Sequence, residues 1–284
     1  MTTIADLVRD TRSRLSGTFS DELNVIDTVG YTPGSGTVTL KYAANLSNGT
    51  VLCCEENTWY VVGGDTGGLT YQVIPSYDGG PDLAKAAGAI VRIKPRVTDW
   101  AIFTHIRDQV MLMSSPTHGL GIINFWADMT GLSTSNQYEP PTDIIPARVH
   151  AVYGYDGQKW WPVTSFSYEL GSVRVYDDRF SGYIFVYSMP FFEVTGFAQD
   201  AINDIGLSEA MLDIPPLGAT GMILHTMESR RQQLGAQGDP RRSAEVQAGS
   251  NMGAAREFLR LRDQRIYDEQ RRAINVTTLT GVSV

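Results

Sequence analysis

The stretch "RVTDWAIFTHIRDQVMLMSSP", Arg96–Pro116, separates two regions of very different texture from itself. Its apolar residues Trp100, Ile102, Phe103, Ile106, Val110 and Met113 recur at spacings near three and four, which places them on one side of a helix. Thr98 or Asp99 offers an N-cap and Pro116 a stop. A helix over Asp99–Met113 is therefore predicted, the strongest in the chain.

Strand texture lies on both sides of it. Upstream, "TVTLKYA", "TVLCCEENTWYVVGG", "LTYQVIPSY" and "AIVRIKP" are short β-type runs broken by glycine, which predict a small β-domain of hairpins. Downstream, "GLGIINFWADM", "ARVHAVYGYDGQKWWPV", "SFSYELGSVRVY" and "GYIFVYSMPFFEV" are parted by turn signals such as Tyr155-Asp156-Gly157 and Ser181-Gly182. These predict a second antiparallel sheet or sandwich, with a polar, proline-bearing loop between Thr130 and Pro146.

Helical patterns return at both ends. Ile4, Leu7, Val8 and Leu15 form one apolar stripe, with Thr3 as N-cap and Gly17 just beyond the end. "LSEAMLDIPP" reads as a short helix ended by Pro215 and Pro216, and Leu217–Leu234 as a longer one ended near Gly235. The three helices Ile4–Leu15, Asp99–Met113 and Leu217–Leu234 are expected to pack together, burying Trp100 and Phe103 against residues such as Leu7 and Ile223. Residues 236–250 read as a linker. The resulting division is an N-terminal helix at 1–20, a small β-domain at 21–97, a helix at 98–116, an aromatic β-domain at 117–200, joining helices at 201–235, and a linker with a C-terminal helix at 236–284.

The chain has 284 residues and a net charge of −8, unevenly spread. From Gly221 to Val284 there are ten arginines, no lysine and seven acids, a local +3 that leaves −11 on residues 1–220. A general nucleic-acid binder is usually basic overall, which argues against that class. Neither a membrane span nor a secretory signal is predicted, so synthesis and residence in the cytosol are expected. Cys53 and Cys54 are adjacent and point to opposite faces of a strand, which excludes a disulfide framework and any metal-ligand spacing. Two glycosylation sequons, at Asn45 and Asn275, are expected to be unused without secretion.

No set of residues composes a catalytic site, and the chain is expected not to be an enzyme. Asp65-Thr66-Gly67 is the aspartic-protease triplet, but it sits among glycines between two strand runs and reads as a hairpin turn. Leu69 follows where a phosphate loop needs lysine. His105, His118, His150 and His225 lie in four separate segments, and the acid pairs Glu55-Glu56 and Asp177-Asp178 sit at strand edges or turns. No cofactor is expected. The aromatic run from Trp160 to Phe192 reads as sandwich filling, with a carbohydrate platform as the alternative.

The order of a β-domain ending in "VRIKPRVTDWAIFTHIRDQVMLMSSPTHGLG", an aromatic β-domain, and "LGATGMILHTMESRRQQLGAQGDPRRSAEVQAGSNMGAAREFLRLRDQRIYDEQRR" resembles the head-to-tail connector (adaptor) proteins of long-tailed bacteriophages, especially those of actinobacteria. The resemblance covers most of the chain and is most specific from Gly235 to Arg272. It implies an α+β fold: a helical bundle with inserted antiparallel β-domains and an extended C-terminal helical arm. It also implies a virion protein of the neck, a dodecameric homo-oligomeric ring. Its partners would be the portal protein and a tail-proximal neck or tail-terminator protein, with genomic DNA passing through unbound and no membrane involved.

On that reading the helix after the linker is a tethered arm that folds on docking. Phe258, Leu261 and Ile266 supply its apolar stripe, and Arg256, Arg260, Arg262 and Arg265 its charged contacts to the portal or a neighbouring subunit. Arg265/Glu269 and Asp268/Arg272 are opposite charges four residues apart, which would keep it soluble until it docks. The −11 body suggests a lumen along which DNA slides. The alternative is a minor tail or baseplate protein that binds host-surface glycan through the aromatic domain.

Overall fold

The computed structural model describes residues 2–16, 21–64, 67–115, 117–128, 137–140, 146, 148–169, 171–177, 179–235 and 250–279. Among the described residues there are thirteen strands and four α-helices. The fold is therefore mostly β with some helices, and the expected helical bundle with an extended helical arm is overturned. The physical reason is that the apolar residues alternating along the strands fill two β-cores of their own, while the last helix finds its apolar partner inside the same chain.

Helix α1 (Ile4–Ser16) opens with a reciprocal cap: the Asp6 amide donates to Thr3 Oγ1 at 3.3 Å, and the Thr3 amide to Asp6 Oδ2 at 2.9 Å. Strands β1 (Glu22–Val25), β2 (Thr37–Thr39), β3 (Val51–Cys54), β4 (Asn57–Gly64), β5 (Thr70–Pro75) and β6 (Ile90–Ile93) form one antiparallel sheet in the order β1-β6-β3-β4-β5-β2. It curls into a half-barrel whose edges meet at one end, where Ile26 bridges Leu40 and the Lys41 amide donates to the Val25 carbonyl at 2.9 Å. Leu52, Trp59, Val61, Tyr71 and Val91 fill it. Strands β4 and β5 pair across the Asp65-Thr66-Gly67 triplet; Asp65 and Thr66 themselves lie outside the described residues.

Helix α2 (Asp99–Met113) is capped by Thr98, whose Oγ1 accepts from the Ala101 amide at 3.1 Å. Beyond it, β7 (Ile122–Asp128), β9 (Arg148–Tyr155), β10 (Trp160–Val163) and β13 (Gly182–Met189) form a four-stranded sheet, ordered β10-β9-β13-β7. Strands β8 (Gln137–Tyr138), β11 (Phe166–Glu169) and β12 (Ser172–Val175) form a smaller one. The two share a core of Trp126, Tyr138, Val152, Val173, Phe185 and Tyr187. Most of the expected loop from Thr130 to Pro146 lies outside the described residues.

Helix α3 (Ile214–Gly235) begins at the prolines that were expected to end a helix, and residues 209–211 form only a short 3-10 turn. At a helix start proline's missing N–H is no loss and its fixed φ is already helical. Residues 214–221 are buried on every side, which makes this half of α3 the axis of the helical core. Helices α1 and α2 pack on it as expected, with Leu7, Phe103 and Ile223 in one core and Phe103 stacked on Phe197 at 5.1 Å. Trp100, expected to be buried, is only half-buried.

Candidate interface on the C-terminal helix

Helix α4 (Ser250–Leu279) has 30 residues, about 45 Å at 1.5 Å per residue. It runs antiparallel along α3, and the sequence allows a close approach because α3 carries glycine where α4 lies nearest. A Cβ on Gly221 would fall 2.8 Å from Leu259 and 3.2 Å from the Ala255 carbonyl. Gly218 makes the same room for Gln109 of α2.

Polar contacts fix the helix along its length. Arg265 donates to Asp213 Oδ2 at 2.9 Å and to the Ala210 carbonyl at 2.6 Å. Arg262 donates to Gln109 Oε1 at 3.0 Å and pairs with Asp263. Gln270 donates to the His118 carbonyl. The buried Glu269 carboxylate takes Arg272 at 2.8 Å and Arg265 at 3.5 Å, so the expected Arg265/Glu269 pair is present, while Arg272 bonds Glu269.

The seven expected interface residues therefore divide. Ile266 is 2% exposed in the helical core, Phe258 packs against that core, and Leu261 is half-buried. Arg262 and Arg265 are committed to their own chain. Arg256 and Arg260 face solvent, Arg260 held to Glu257 at 2.6 Å. The linker expected to tether the helix, residues 236–249, lies outside the described residues. Sequence reasoning missed Tyr267 and Arg271, which share the outward face, the guanidinium 5.5 Å from the ring centroid. It also missed Ala255, Leu259 and Gln270 as internal contacts; the small-residue run Gly218-Ala219-Thr220-Gly221 was the available signal, because it marks where another helix can approach.

Elsewhere, titratable groups are arranged for burial. Burial, and then the nearby Asp99, push the Cys53 thiol well above its usual range, and burial pushes Cys54 to about 12, so neither is a nucleophile at neutral pH. Burial and the nearby Arg148 lower His150 to about 4. Lys85 sits between Glu56 at 2.5 Å and Glu55 at 2.8 Å. Between α1 and the half-barrel lies a cleft of about 520 Å³ lined in part by Arg9, Arg12, Arg92 and Asp99, whose floor is occupied by its own ion pairs. Among the described residues no group of three or more His, Cys, Asp or Glu side chains is placed to hold a metal, and no helix is long and apolar enough to cross a membrane.

No known family model matches the chain, and no curated protein matches it either.

Proposed function

We propose that the protein is a structural component of a bacteriophage neck, a head-to-tail connector that assembles as a ring between portal and tail around the DNA channel. The observation that carries the reading is the way one helical core, built from both ends of the chain, holds two separate β-units, the half-barrel between α1 and α2 and the aromatic sheets between α2 and α3. A subunit of this build offers distinct surfaces to a neighbour above, a neighbour below and copies beside it. The outward face of α4, with Arg256, Arg260, Tyr267 and Arg271, is the portal-facing surface in this reading. It needs no folding on docking, because the inward face is already packed on α3. The acidic balance of residues 1–220 suits a channel wall that repels phosphate. Electron microscopy of the purified full chain, alone and mixed with a portal ring of the same phage, tests this. Rings or portal-bound layers are expected; a protein that forms neither is not a connector.

A second reading draws on one feature of the aromatic unit. Trp161 is 42% exposed, its indole donates to Asp156 at 2.6 Å, and Lys159 lies 3.8 Å from its ring centroid. A fixed, exposed indole is the kind of surface a sugar ring stacks on, which supports a glycan-binding tail or baseplate protein. Retention on host cell-wall polysaccharide that falls on Trp161→Ala would favour it over the connector.

A further inference from the structure

Among the described residues, the edges of the two larger sheets are protected, with one exception. The half-barrel joins its own edges at Ile26 and Leu40. In the aromatic unit, β10 is only four residues long and contains Pro162, which has no N–H to offer. Strand β7 is different. All seven of its residues pair with β13 on one side without a register shift, and among the described residues no strand pairs with its other side. It contains no proline, lysine or arginine, and its Phe125 and Ile123 are 67% and 44% exposed. The Phe125 amide donates to the side chain of Asn124 at 2.9 Å.

We infer that β7 is the docking edge for a second copy of this chain, which adds its own β7 antiparallel to form a two-fold dimer with one continuous eight-stranded sheet. The strand is complementary to itself. Centred on Phe125, the antiparallel register sets Phe125 opposite Phe125, Ile123 opposite Ala127 and Asn124 opposite Trp126. Residues 123, 125 and 127 lie on one face, so the exposed apolar groups of both copies meet there. The strand's single charge, Asp128, falls opposite Ile122, so no like charges oppose each other. In this pairing the Phe125 amide exchanges its side-chain acceptor for a backbone carbonyl. A two-fold contact closes on itself and cannot propagate around a ring. The contact is thus not the one that would build a ring, and it does not depend on the connector reading.

The test uses the full chain and cysteine cross-linking, which the buried Cys53 and Cys54 do not disturb. Under mild oxidation Phe125→Cys should cross-link to itself, Ala127→Cys should not, and a mixture of Ile123→Cys with Ala127→Cys should cross-link. Phe125→Lys should weaken the dimer about 100-fold by sedimentation while leaving the circular dichroism unchanged. A wild-type chain that stays monomeric at high concentration overturns the inference. So does a dimer indifferent to Phe125→Lys, or self-cross-linking as efficient at position 127 as at 125. A β7 that pairs only with a different protein overturns the second copy as its occupant. Rings that form in any of these cases leave the connector reading standing.

Discussion

Arg12 of α1 grips Asp99, at the first turn of α2, at 2.5 Å across 87 residues of sequence. The same guanidinium reaches Asp21 at 2.9 Å and the Val97 carbonyl at 2.8 Å, and Arg92 of β6 approaches Asp99 at 3.6 Å. One side chain thus ties the first helix to both ends of the half-barrel segment. Both carboxylates are mostly buried, so removing the arginine leaves charge without its partner.

Arg12→Ala is expected to lower stability by about 3–5 kcal/mol, the usual loss when one member of a buried pair is removed. Arg12→Lys should recover only part, because an ammonium cannot span three acceptors in a fixed plane. Urea unfolding monitored by tryptophan fluorescence measures both. A loss under about 1 kcal/mol for Arg12→Ala would show that the pair is effectively solvated.

Two glycines should respond in opposite directions. Gly221→Val forces side-chain atoms into Leu259 and should separate α3 from α4, costing about 1–3 kcal/mol and exposing α4 amides to hydrogen exchange. Gly253 lies in α4 with nothing within 4 Å of its would-be Cβ, so Gly253→Ala should stabilise by about 0.5–1 kcal/mol. Equal effects of the two changes would contradict the close α3–α4 packing.

Ile266→Ala should cost about 2–5 kcal/mol, the loss for a large aliphatic side chain in a closed core. Ending the chain after Gly235 should go further, uncovering the α3 face that α4 protects. The expected result is loss of the near-ultraviolet circular dichroism of the helical core. A truncated chain as stable as the full one would mean that α4 is an appendage.

His150 supplies a pH dependence. Its folded-state pKa, about 4, lies below the ordinary histidine value, so the folded protein holds it neutral while the unfolded chain charges it. The corresponding stability is complete above about pH 6.5 and is lost as pH falls from there towards 4. Its size is about 1–3 kcal/mol. His150→Asn should flatten that part of the stability curve; an unchanged difference between pH 7 and pH 4.5 would show that another group is responsible.

How much of this could be read in advance follows the range of each interaction. Caps, apolar stripes and turns are local, so Thr98 as a cap, the helix it starts and the β4–β5 hairpin were legible. The prolines at 215 and 216 misled because proline serves equally to stop one helix and to start the next, and only the packing around Ile214 decides which. The fate of α4 was illegible for a different reason. Its own composition is poor in apolar residues, and its hold on the body comes from Gly221 of α3 and from Asp213 just before that helix, both far away in sequence. On the candidate interface, the positions of Arg256 and Arg260 could be read from helical spacing. The commitment of Arg262 to Gln109, 153 residues away, could not.

The placement of α3 at the centre has a consequence for biosynthesis. Helix α1 leaves the ribosome first, yet a large part of the surface that covers its stripe belongs to a helix that starts at Ile214. At about 5–20 residues per second, α1 waits roughly 10–40 s for that partner. The half-barrel, whose six strands all lie between Glu22 and Ile93, can close during the wait. The nascent chain then carries an amphipathic helix only partly covered, by α2, beside a finished β-unit, and this interval is when a chaperone that holds short apolar helices would matter most to its yield.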